Sequence, residues 1–441
     1  MKRILLLLIG VLPLLPLHAK TVEHLLDNGM KLIVREDHRA PVVVSQIWYR
    51  IGSSYEYDGI TGVSHVLEHM MFKGTAKLEP GEFSEIIAAN GGSDNAFTSR
   101  DYSAYFQRIS ADRLELCLEL EADRMRNVLF KPGEFARELA VVREERRWRV
   151  DNKPRARLFE QFYATAFLSS PLRIPVIGWM NDLKNLQMQD AADWYRQWYA
   201  PNNATLVIVG DVDSGQVIAL VEKHFGDIQP SDIKPPKPRV EIEQNGERRI
   251  IHYGQTSNPY LVMGYKAPVL KDLDDPDDIY ALDVLSGILD GGYSARFAAN
   301  LLRGQEVAVD AGTSYGPFDR LAGLFLLAGT PNQGVTPQRL EQAFKAELSD
   351  LMSNPVEADE LERVKAQVIA AKVFDRDSMF NMAMQIGMLD SAGYDWSLLD
   401  SYVERIRSVG AEDIQRVART YFKDSRLTVA LLLPEPEEAQ P

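Results

Sequence analysis

The middle of the sequence reads Ile233-Lys-Pro-Pro-Lys-Pro-Arg239, a proline-rich segment that favours extended backbone over helix. We interpret residues 232–240 as a linker, because the sequence on either side of it has the same organisation. The first half closes with Trp198-Tyr-Ala-Pro-Asn-Asn-Ala-Thr-Leu-Val-Ile-Val209, and the second half closes with Tyr421-Phe-Lys-Asp-Ser-Arg-Leu-Thr-Val-Ala-Leu-Leu432. Each closing segment leads from the end of a helix into a buried strand. The sequence thus predicts two homologous domains, and a chance resemblance between two α+β segments is the alternative.

Helices and strands follow one another in mixed order in the first half, which is typical of an α+β fold rather than of repeated βαβ units. The turn residues Asp27-Asn28-Gly29 predict a hairpin, and residues 95–110 are expected to form a strand. Helices are predicted over residues 62–73, 80–90, 111–128 and 132–150. We therefore expect an α+β protein of two α/β-layer domains, each with a mixed sheet flanked by helices.

The composition is that of a globular protein with more than one domain. The 441 residues are 45% hydrophobic and 25% charged, which is enough apolar material for a sizeable core. The formal net charge of −14 argues against nucleic acid as a partner, because phosphate binding needs a basic face. A single cysteine, Cys117, excludes an internal disulfide and a cysteine-rich zinc site.

The first nineteen residues have the pattern of a secretory signal peptide. Lys2 and Arg3 precede an apolar run over residues 4–17, and Leu17-His18-Ala19 provides a cleavage site of small residues. A membrane anchor is the alternative, but the run is shorter than the ~20 residues that a membrane-spanning helix needs. We expect residues 1–19 to be removed and the remaining chain to be periplasmic or secreted, without a membrane span.

The motif that carries chemistry is His65-Val-Leu-Glu-His69. On a helix, the side chains of His65, Glu68 and His69 fall within an arc of roughly 100°, while apolar residues occupy the other side. Histidines four residues apart can bind one ion, and two imidazole ligands suit zinc. The spacing predicts one Zn²⁺ per chain in a cleft, with Glu68 beside it.

A catalytic zinc usually has three protein ligands, and the helix predicted over residues 132–150 offers the third. Its apolar stripe leaves Glu145 about 60° away and Glu144 about 160° away, so Glu145 can turn inward while Glu144 faces water. Glu138 lies on the same edge as Glu145 and is placed to support a ligand. The alternative for Glu138 and Glu145 is a solvated face of salt bridges to Arg137 or Arg149.

These parts together predict metal-assisted hydrolysis of an amide bond. Zinc would polarise the scissile carbonyl and acidify water. Glu68 is the candidate general base, which would accept the proton from water and deliver it to the leaving amine. A purely structural zinc is the alternative, although structural sites are closed four-ligand sets that are usually rich in cysteine.

The motif His65-x-x-Glu68-His69, followed by Gly91-Gly92, by Asn95-Ala-Phe-Thr98 and by Glu145, resembles the inverted zinc motif peptidases of the pitrilysin (insulinase) family. The chain is similar to the short two-domain bacterial members and to subunits of mitochondrial processing peptidase. The resemblance implies that His65, His69 and Glu145 are zinc ligands, that Glu68 is the general base and that Glu138 is a supporting carboxylate. It also implies that Asn95, Ala96 and Phe97 lie on an edge strand that pairs with the peptide substrate, although an ordinary edge strand is the alternative.

The resemblance further divides the chain by role. Residues 20–231 would be the zinc-binding catalytic domain, and residues 241–434 would be a degenerate repeat. Aligning Asp283-Val-Leu-Ser-Gly287 with His65-Val-Leu-Glu-His69 replaces each catalytic side chain, so the second half is expected to bind no zinc. Residues 435–441 are expected to be a disordered tail.

The second half also departs from the family pattern. In active members it supplies an arginine and, seven residues later, a tyrosine that stabilise the oxyanion. Arg303 matches the arginine, which makes it a possible transition-state contact, but position 310 is an aspartate and the next tyrosine is Tyr315. Because an oxyanion donor is worth about 10²–10³ in rate, we expect a homologous partner subunit to complete the site. Use of Tyr315, or a homodimer, is the alternative.

The sequence therefore predicts a zinc metalloendopeptidase that acts on peptides or unfolded polypeptides, completed by a partner subunit. Two other classes are compatible with the same fold. One is a non-catalytic scaffold or assembly subunit, against which the intact residues His65, Glu68, His69 and Glu145 argue. The other is a module that binds peptides or metal without cleaving anything.

Overall fold

The computed structural model describes residues 20–273 and 276–436 of the chain. The predicted signal peptide, residues 1–19, lies outside the described residues, as do residues 437–441 of the predicted tail. Glu435 lies within them, and its backbone N–H donates to the carbonyl of Gly254 at 3.2 Å. Within the described part of the chain, no helix combines the length and the apolar composition that a membrane crossing requires.

The first half folds around one sheet. Its strands are β1 (Thr21–Leu25), β2 (Lys31–Glu36), β3 (Val42–Tyr49), β4 (Ser93–Thr98), β5 (Ser103–Ser110) and β6 (Ala204–Gly210). Its α-helices are α1 (Val63–Met70), α2 (Glu82–Ala89), α3 (Leu114–Asn127), α4 (Pro132–Arg146), α5 (Pro154–Ala166), α6 (Met180–Asn185), α7 (Met188–Trp198) and α8 (Ser214–Phe225). Residues 232–240, the predicted linker, contain neither helix nor strand.

The second half folds around another sheet. Its strands are β7 (Arg248–Gly254), β8 (Tyr260–Ala267), β9 (Ala308–Ser314), β10 (Gly323–Pro331) and β11 (Leu427–Pro434). Its α-helices are α9 (Asp277–Asp290), α10 (Pro337–Ser353), α11 (Ala358–Asp375), α12 (Met379–Ala392), α13 (Leu398–Ser408) and α14 (Ala411–Tyr421). A π-helix over Phe297–Gly304 precedes β9.

The two sheets have the same topology. The first has the order β1-β2-β6-β3-β5-β4 and the second has the order β7-β11-β8-β10-β9, so the second repeats the first without β1. The pairs β2–β6 and β7–β11 are parallel, and the other pairs are antiparallel. The predicted α+β class, with a mixed sheet flanked by helices in each half, is confirmed.

One helix of each half packs on the sheet of the other half. Helix α5 of the first half packs on β7, β8 and β11, and helix α12 of the second half packs on β3 and β6. Glycines permit this close approach: a Cβ at Gly264 would lie 2.7 Å from Phe162, and one at Gly387 would lie 2.0 Å from Trp48. Each sheet is thus covered on one face by its own helices and on the other by a helix from across the linker.

Two predicted elements differ from the structure. Residues 95–110 form the β4–β5 hairpin instead of one strand, because Ser99-Arg100-Asp101-Tyr102 makes a turn in which the N–H of Ser99 donates to the carbonyl of Tyr102 at 2.8 Å. The helix predicted over residues 132–150 ends as an α-helix at Arg146 and continues as a π-helix over Arg147–Asp151.

Candidate metal centre

Helix α1 carries both histidines, and its position in the core is fixed by apolar residues. Val63, Val66, Leu67 and Met70 are fully buried in the core of the first half. The helix starts after Gly62, whose φ of 89° favours glycine and whose Cβ would lie 2.6 Å from the carbonyl of Ile177.

The N-terminus of α1 is capped from outside the helix. Gly62 supplies no side chain, and the carboxylate of Glu56 accepts the backbone N–H of Gly62 at 2.7 Å and that of Ser64 at 2.9 Å. A carboxylate at this end also interacts favourably with the helix dipole. Glu56 is fully buried, and burial raises its pKa to about 7.

The two histidines lie on adjacent turns of α1 with their rings side by side. The ring centroids of His65 and His69 are 5.0 Å apart. The Nδ1 atom of His69 lies 3.2 Å from Oε2 of Glu138, and the other oxygen of Glu138 lies 2.8 Å from Nζ of Lys73. The Glu138 carboxylate therefore holds the Nδ1 proton of His69 and leaves the lone pair of Nε2 for a metal.

Helix α4 brings the carboxylate of Glu145 to these rings. It begins with Pro132 in its first turn, where proline is tolerated, and it buries Phe135, Leu139 and Val142 against the core. Beside this buried stripe, the side chain of Glu145 is 15% exposed, whereas that of Glu144, on the solvent face, is 70% exposed.

The three groups fit one zinc ion. Oε2 of Glu145 lies 3.4 Å from Nε2 of His69 and 3.8 Å from Nε2 of His65. Ligand atoms around a tetrahedral zinc lie about 3.4 Å apart, given metal–ligand distances near 2.1 Å. The described residues contain one group of three His, Cys, Asp or Glu side chains that could hold a metal ion, and it consists of His65, His69 and Glu145.

The pKa shifts of two of the three groups, His65 and Glu145, suit a cation. Burial, and then the neighbouring His69, lower the pKa of His65 to about 4. Burial opposes protonation of His69, but its hydrogen bonds to Glu145 and Glu138 raise its pKa. The same hydrogen bond to His69 lowers the pKa of Glu145, whose other oxygen lies 2.9 Å from Nη1 of Arg149. A neutral imidazole and an ionised carboxylate are the forms that bind zinc, so His65 and Glu145 are ready for a cation, whereas His69 has to lose a proton when an ion binds.

Glu68 lies between the two histidines and points to the sheet edge. The hydroxyl of Thr98, the last residue of β4, donates to Oε2 of Glu68 at 2.5 Å. Burial raises the pKa of Glu68, which favours its use as an acid as well as a base.

Strand β4, which carries Asn95, Ala96 and Phe97, lies at one edge of the first sheet and pairs with β5 alone among the described strands. Asn95 is exposed, and Phe97 packs edge-on against Trp48 with ring centroids 5.5 Å apart. Because side chains alternate along a strand, Ala96 and Thr98 are on the face that meets α1. The free edge of β4 thus ends beside Glu68.

Among the described residues, the candidates of the second half, Arg303 and Tyr315, do not contact this centre. They and Asp310 have other partners. The guanidinium of Arg303 lies 3.9 Å from the ring of Tyr293 and donates to the carbonyl of Tyr293 at 2.8 Å. Asp310 accepts the hydroxyl of Thr330 at 2.7 Å. The hydroxyl of Tyr315 donates to the carbonyl of Pro268 at 2.6 Å, so it is already engaged elsewhere.

The segment aligned with the zinc motif has other contacts. Asp283 accepts a hydrogen bond from the hydroxyl of Tyr402, and burial raises its pKa. A Cβ at Gly287 would lie 2.9 Å from Val364, which leaves no room for an imidazole at that position.

Three features of the site were not predicted from the sequence. They are the cap by Glu56, the hydrogen bond from Thr98 to Glu68 and the contact between Arg303 and Tyr293. The glycine before α1 is a signal for Glu56, because a helix that lacks its own N-cap side chain needs an acceptor from elsewhere. Thr98 is two residues from Ala96, and this alternation would have placed it on the same face of the strand. Nothing in the sequence pairs Tyr293, whose side chain is exposed, with Arg303.

Two sequence profiles match most of the chain. Residues 31–178 match the profile described as "Insulinase (Peptidase family M16)", which includes the residues of the metal centre. Residues 185–368 match the profile described as "Peptidase M16 inactive domain", which includes Arg303 and Asp310.

Individual proteins are similar over nearly the whole chain. The zinc protease PqqE of Helicobacter pylori is 33% identical over 418 residues, which cover 93% of this chain and 92% of that protein. The beta subunit of the mitochondrial processing peptidase of Dictyostelium discoideum is 26% identical over 423 residues, which cover 93% and 88%. The crystal structure of a protease from Helicobacter pylori superposes with a TM-score of 0.89 at 30% identity, over 95% of this chain and 100% of that one.

Proposed function

The chain belongs to the insulinase family of peptidases, M16, and we propose that it is a zinc-dependent endopeptidase that hydrolyses peptides or unfolded polypeptides. The observation that carries the proposal is the convergence of His65, His69 and Glu145 from two helices, with Glu68 beside them. Two imidazoles and one carboxylate are a ligand set of catalytic zinc sites, which keep a fourth position for water or substrate.

The chain's own residues have separate roles in this proposal. One bound Zn²⁺ supplies Lewis-acid polarisation of water and of the scissile carbonyl. Glu68 accepts a proton from the attacking water and delivers it to the leaving amine. Glu138 holds the proton on Nδ1 of His69, and Arg149 holds the oxygen of Glu145 that does not face the histidines.

The free edge of β4 is the proposed binding site for the peptide. An extended peptide adds a strand to an open edge, where main-chain hydrogen bonds give affinity and side-chain pockets give specificity. Asn95, Ala96 and Phe97 would pair with the residues next to the scissile bond. The position of this edge beside Glu68 supports the assignment.

A partner is proposed to complete the site. Residues 20–231 would supply the catalytic centre, and residues 241–434 would be the zinc-free repeat. Arg303 contacts Tyr293 on the second half and no residue of the centre within the described chain. We propose that an arginine of this kind reaches the centre from a homologous subunit or from a second copy of the chain. The name of the Dictyostelium relative, a subunit, supports an assembly.

The proposed place of action is the periplasm or the exterior of the cell. The basic start, apolar run and small residues of residues 1–19 support export. The net charge of −14 supports a substrate other than nucleic acid.

The proposal is tested with the zinc-loaded chain and the variant Glu68→Gln, using a quenched fluorescent peptide with and without a chelator. We expect E68Q to retain zinc and to lose at least about 100-fold in kcat, because the base is removed while the ligands remain. The matched control is Glu144→Gln, an exposed glutamate on α4, which should keep wild-type activity.

Other outcomes point to the other classes. A wild-type chain that remains inactive, both alone and with any subunit that co-purifies from its host, contradicts the peptidase proposal and favours a scaffold. A chain that binds the peptide without cleaving it, whether or not the chelator is present, favours a binding module.

A further inference from the structure

Thr98 is the sole hydrogen-bond partner of the Glu68 carboxylate among the described residues. Its hydroxyl donates to Oε2 at 2.5 Å and lies 3.3 Å from the hydroxyl of Ser103, its cross-strand partner on β5. Ser103 in turn donates to the carbonyl of Ile51 at 3.0 Å. The hydroxyl that reaches Glu68 is therefore fixed by the sheet rather than by helix α1.

This contact joins two parts of the proposed site that are far apart in sequence. Glu68 belongs to α1, and Thr98 ends the strand whose preceding residues, 95–97, form the proposed peptide-binding edge. The strand is anchored on its other face by Phe97, which packs against Trp48 and Tyr102. A peptide paired with the free edge of β4 would give this strand a second neighbour and so restrain further the backbone that carries the Thr98 hydroxyl.

The bond also restricts the base itself. The terminal torsion of a glutamate is broad, so a carboxylate without partners samples many orientations. A donor on Oε2 fixes this torsion and leaves Oε1 free to accept a proton. Misplacement of a reacting group by about 1 Å can cost 10²-fold in rate.

We propose that Thr98 is a positioning residue for Glu68, and that it makes the orientation of the base depend on a peptide paired with β4. The inference rests on the proposed peptidase function. Thr98 touches neither the scissile bond nor the metal ligands in this arrangement, and it acts through Glu68.

The test compares Thr98→Val, Thr98→Ser and the wild type on two quenched peptides with the same scissile bond. One peptide is short, and the other is extended at one end so that it can pair along β4. In the wild type, the extension should raise kcat. In T98V the extension should still lower KM but no longer raise kcat. The kcat of T98V on the long peptide should therefore be about 10- to 100-fold below that of the wild type. T98S, which keeps the hydroxyl, should restore most of the loss.

The matched control is Thr205→Val. Thr205 is a buried threonine on β6 whose hydroxyl also donates to a carboxylate, that of Asp390 at 2.6 Å, without contacting the metal centre. T205V should keep the wild-type kcat and the gain from the extension. Zinc content should be the same in each variant.

Three results would contradict the inference or require a second variant. An active wild type with an equally active T98V, or a loss confined to KM, overturns the inference alone. If T98V does not fold, Thr98→Ala takes its place, and the same loss of kcat is required of it. A wild type that cleaves neither peptide, both alone and with any subunit that co-purifies from its host, overturns the proposed function and this inference together.

Discussion

Gly387 of helix α12 lies so close to Trp48 of strand β3 that a Cβ at position 387 would be 2.0 Å from the indole ring. Trp48 is fully buried and faces away from the core that surrounds helix α1. The ring is covered by a helix that comes from the other side of the linker. The second half therefore stabilises the sheet that carries β4, the proposed peptide-binding strand, although it has no candidate metal site of its own among the described residues.

Gly387→Ala should destabilise the protein. The added methyl group forces either Trp48 or α12 to move, and such overpacking costs about 1–3 kcal/mol in the free energy of unfolding. The control is Gly133→Ala, a helical glycine on α4 whose added Cβ would have no neighbouring atom within 4 Å, so this variant should be neutral or slightly stabilising. Urea denaturation and the thermal midpoint measure both variants. Equal stability of G387A and the wild type would contradict the close contact.

The candidate zinc-ligand pair, His65 and His69, could be found in the sequence because its geometry is local. Two histidines four residues apart share a helix face whatever the rest of the chain does, and Glu145 follows from the apolar stripe of its own helix. The two-fold repetition of the sheet is likewise visible in the sequence, because both halves close with a similar helix–strand segment. Periodicity within one helix is sufficient for the candidate ligands, and comparison of two short segments is sufficient for the repetition.

The exchange of helices could not be predicted in the same way. The apolar faces of α5 and α12 show that each packs on something, but not on which sheet. The same limit applies to Glu56 and Thr98, whose contacts with α1 join loops and strands that sequence periodicity does not relate. The β4–β5 hairpin was missed because its short polar turn lies within a run of otherwise strand-forming residues.

Glu56→Gln should change how stability depends on pH. Burial raises the pKa of Glu56 to about 7, so the native protein keeps this proton between roughly pH 4.5 and 7 while the unfolded chain releases it. Stability from this group is greatest at low pH and is lost as the pH rises through this window, with a slope of at most about 1.4 kcal/mol per pH unit. E56Q does not titrate, so its free energy of unfolding should fall less steeply between pH 5 and 7.

Denaturation at pH 5, 6, 7 and 8 measures this slope. Glu144→Gln replaces an exposed glutamate and should leave the wild-type slope unchanged. If E56Q and the wild type had the same slope, Glu56 would not be the buried proton-binding group that its position at the start of α1 indicates.

Glu145→Gln should weaken zinc binding. The amide has no charge to balance the cation, and loss of a ligand should cost at least the 10- to 100-fold that removal of a supporting partner costs. Glu138→Gln removes no ligand, and it weakens the hydrogen bond on Nδ1 of His69 and the ion pair with Lys73, so it should have a smaller effect. Competition with a chromogenic chelator measures the affinities, with Glu144→Gln as the neighbouring control. Wild-type affinity in E145Q would exclude this carboxylate as a ligand.

A mixing experiment distinguishes a second copy of the chain from a different partner subunit. Arg303→Ala should lose about 10²–10³ in rate if Arg303 stabilises the oxyanion, and Glu68→Gln should lose its base. If Arg303 acts on the metal centre of a second copy, a mixed dimer of the two variants contains one intact site. Random exchange in a symmetric dimer then restores about a quarter of the wild-type activity, because half of the dimers are mixed and each mixed dimer has one intact site of two.

Recovery of this size identifies the homodimer as the working assembly. Two labelled variants that exchange subunits without recovering activity would instead show that the chain does not complete its own centre in a dimer, and would leave that role to a homologous subunit from the same host.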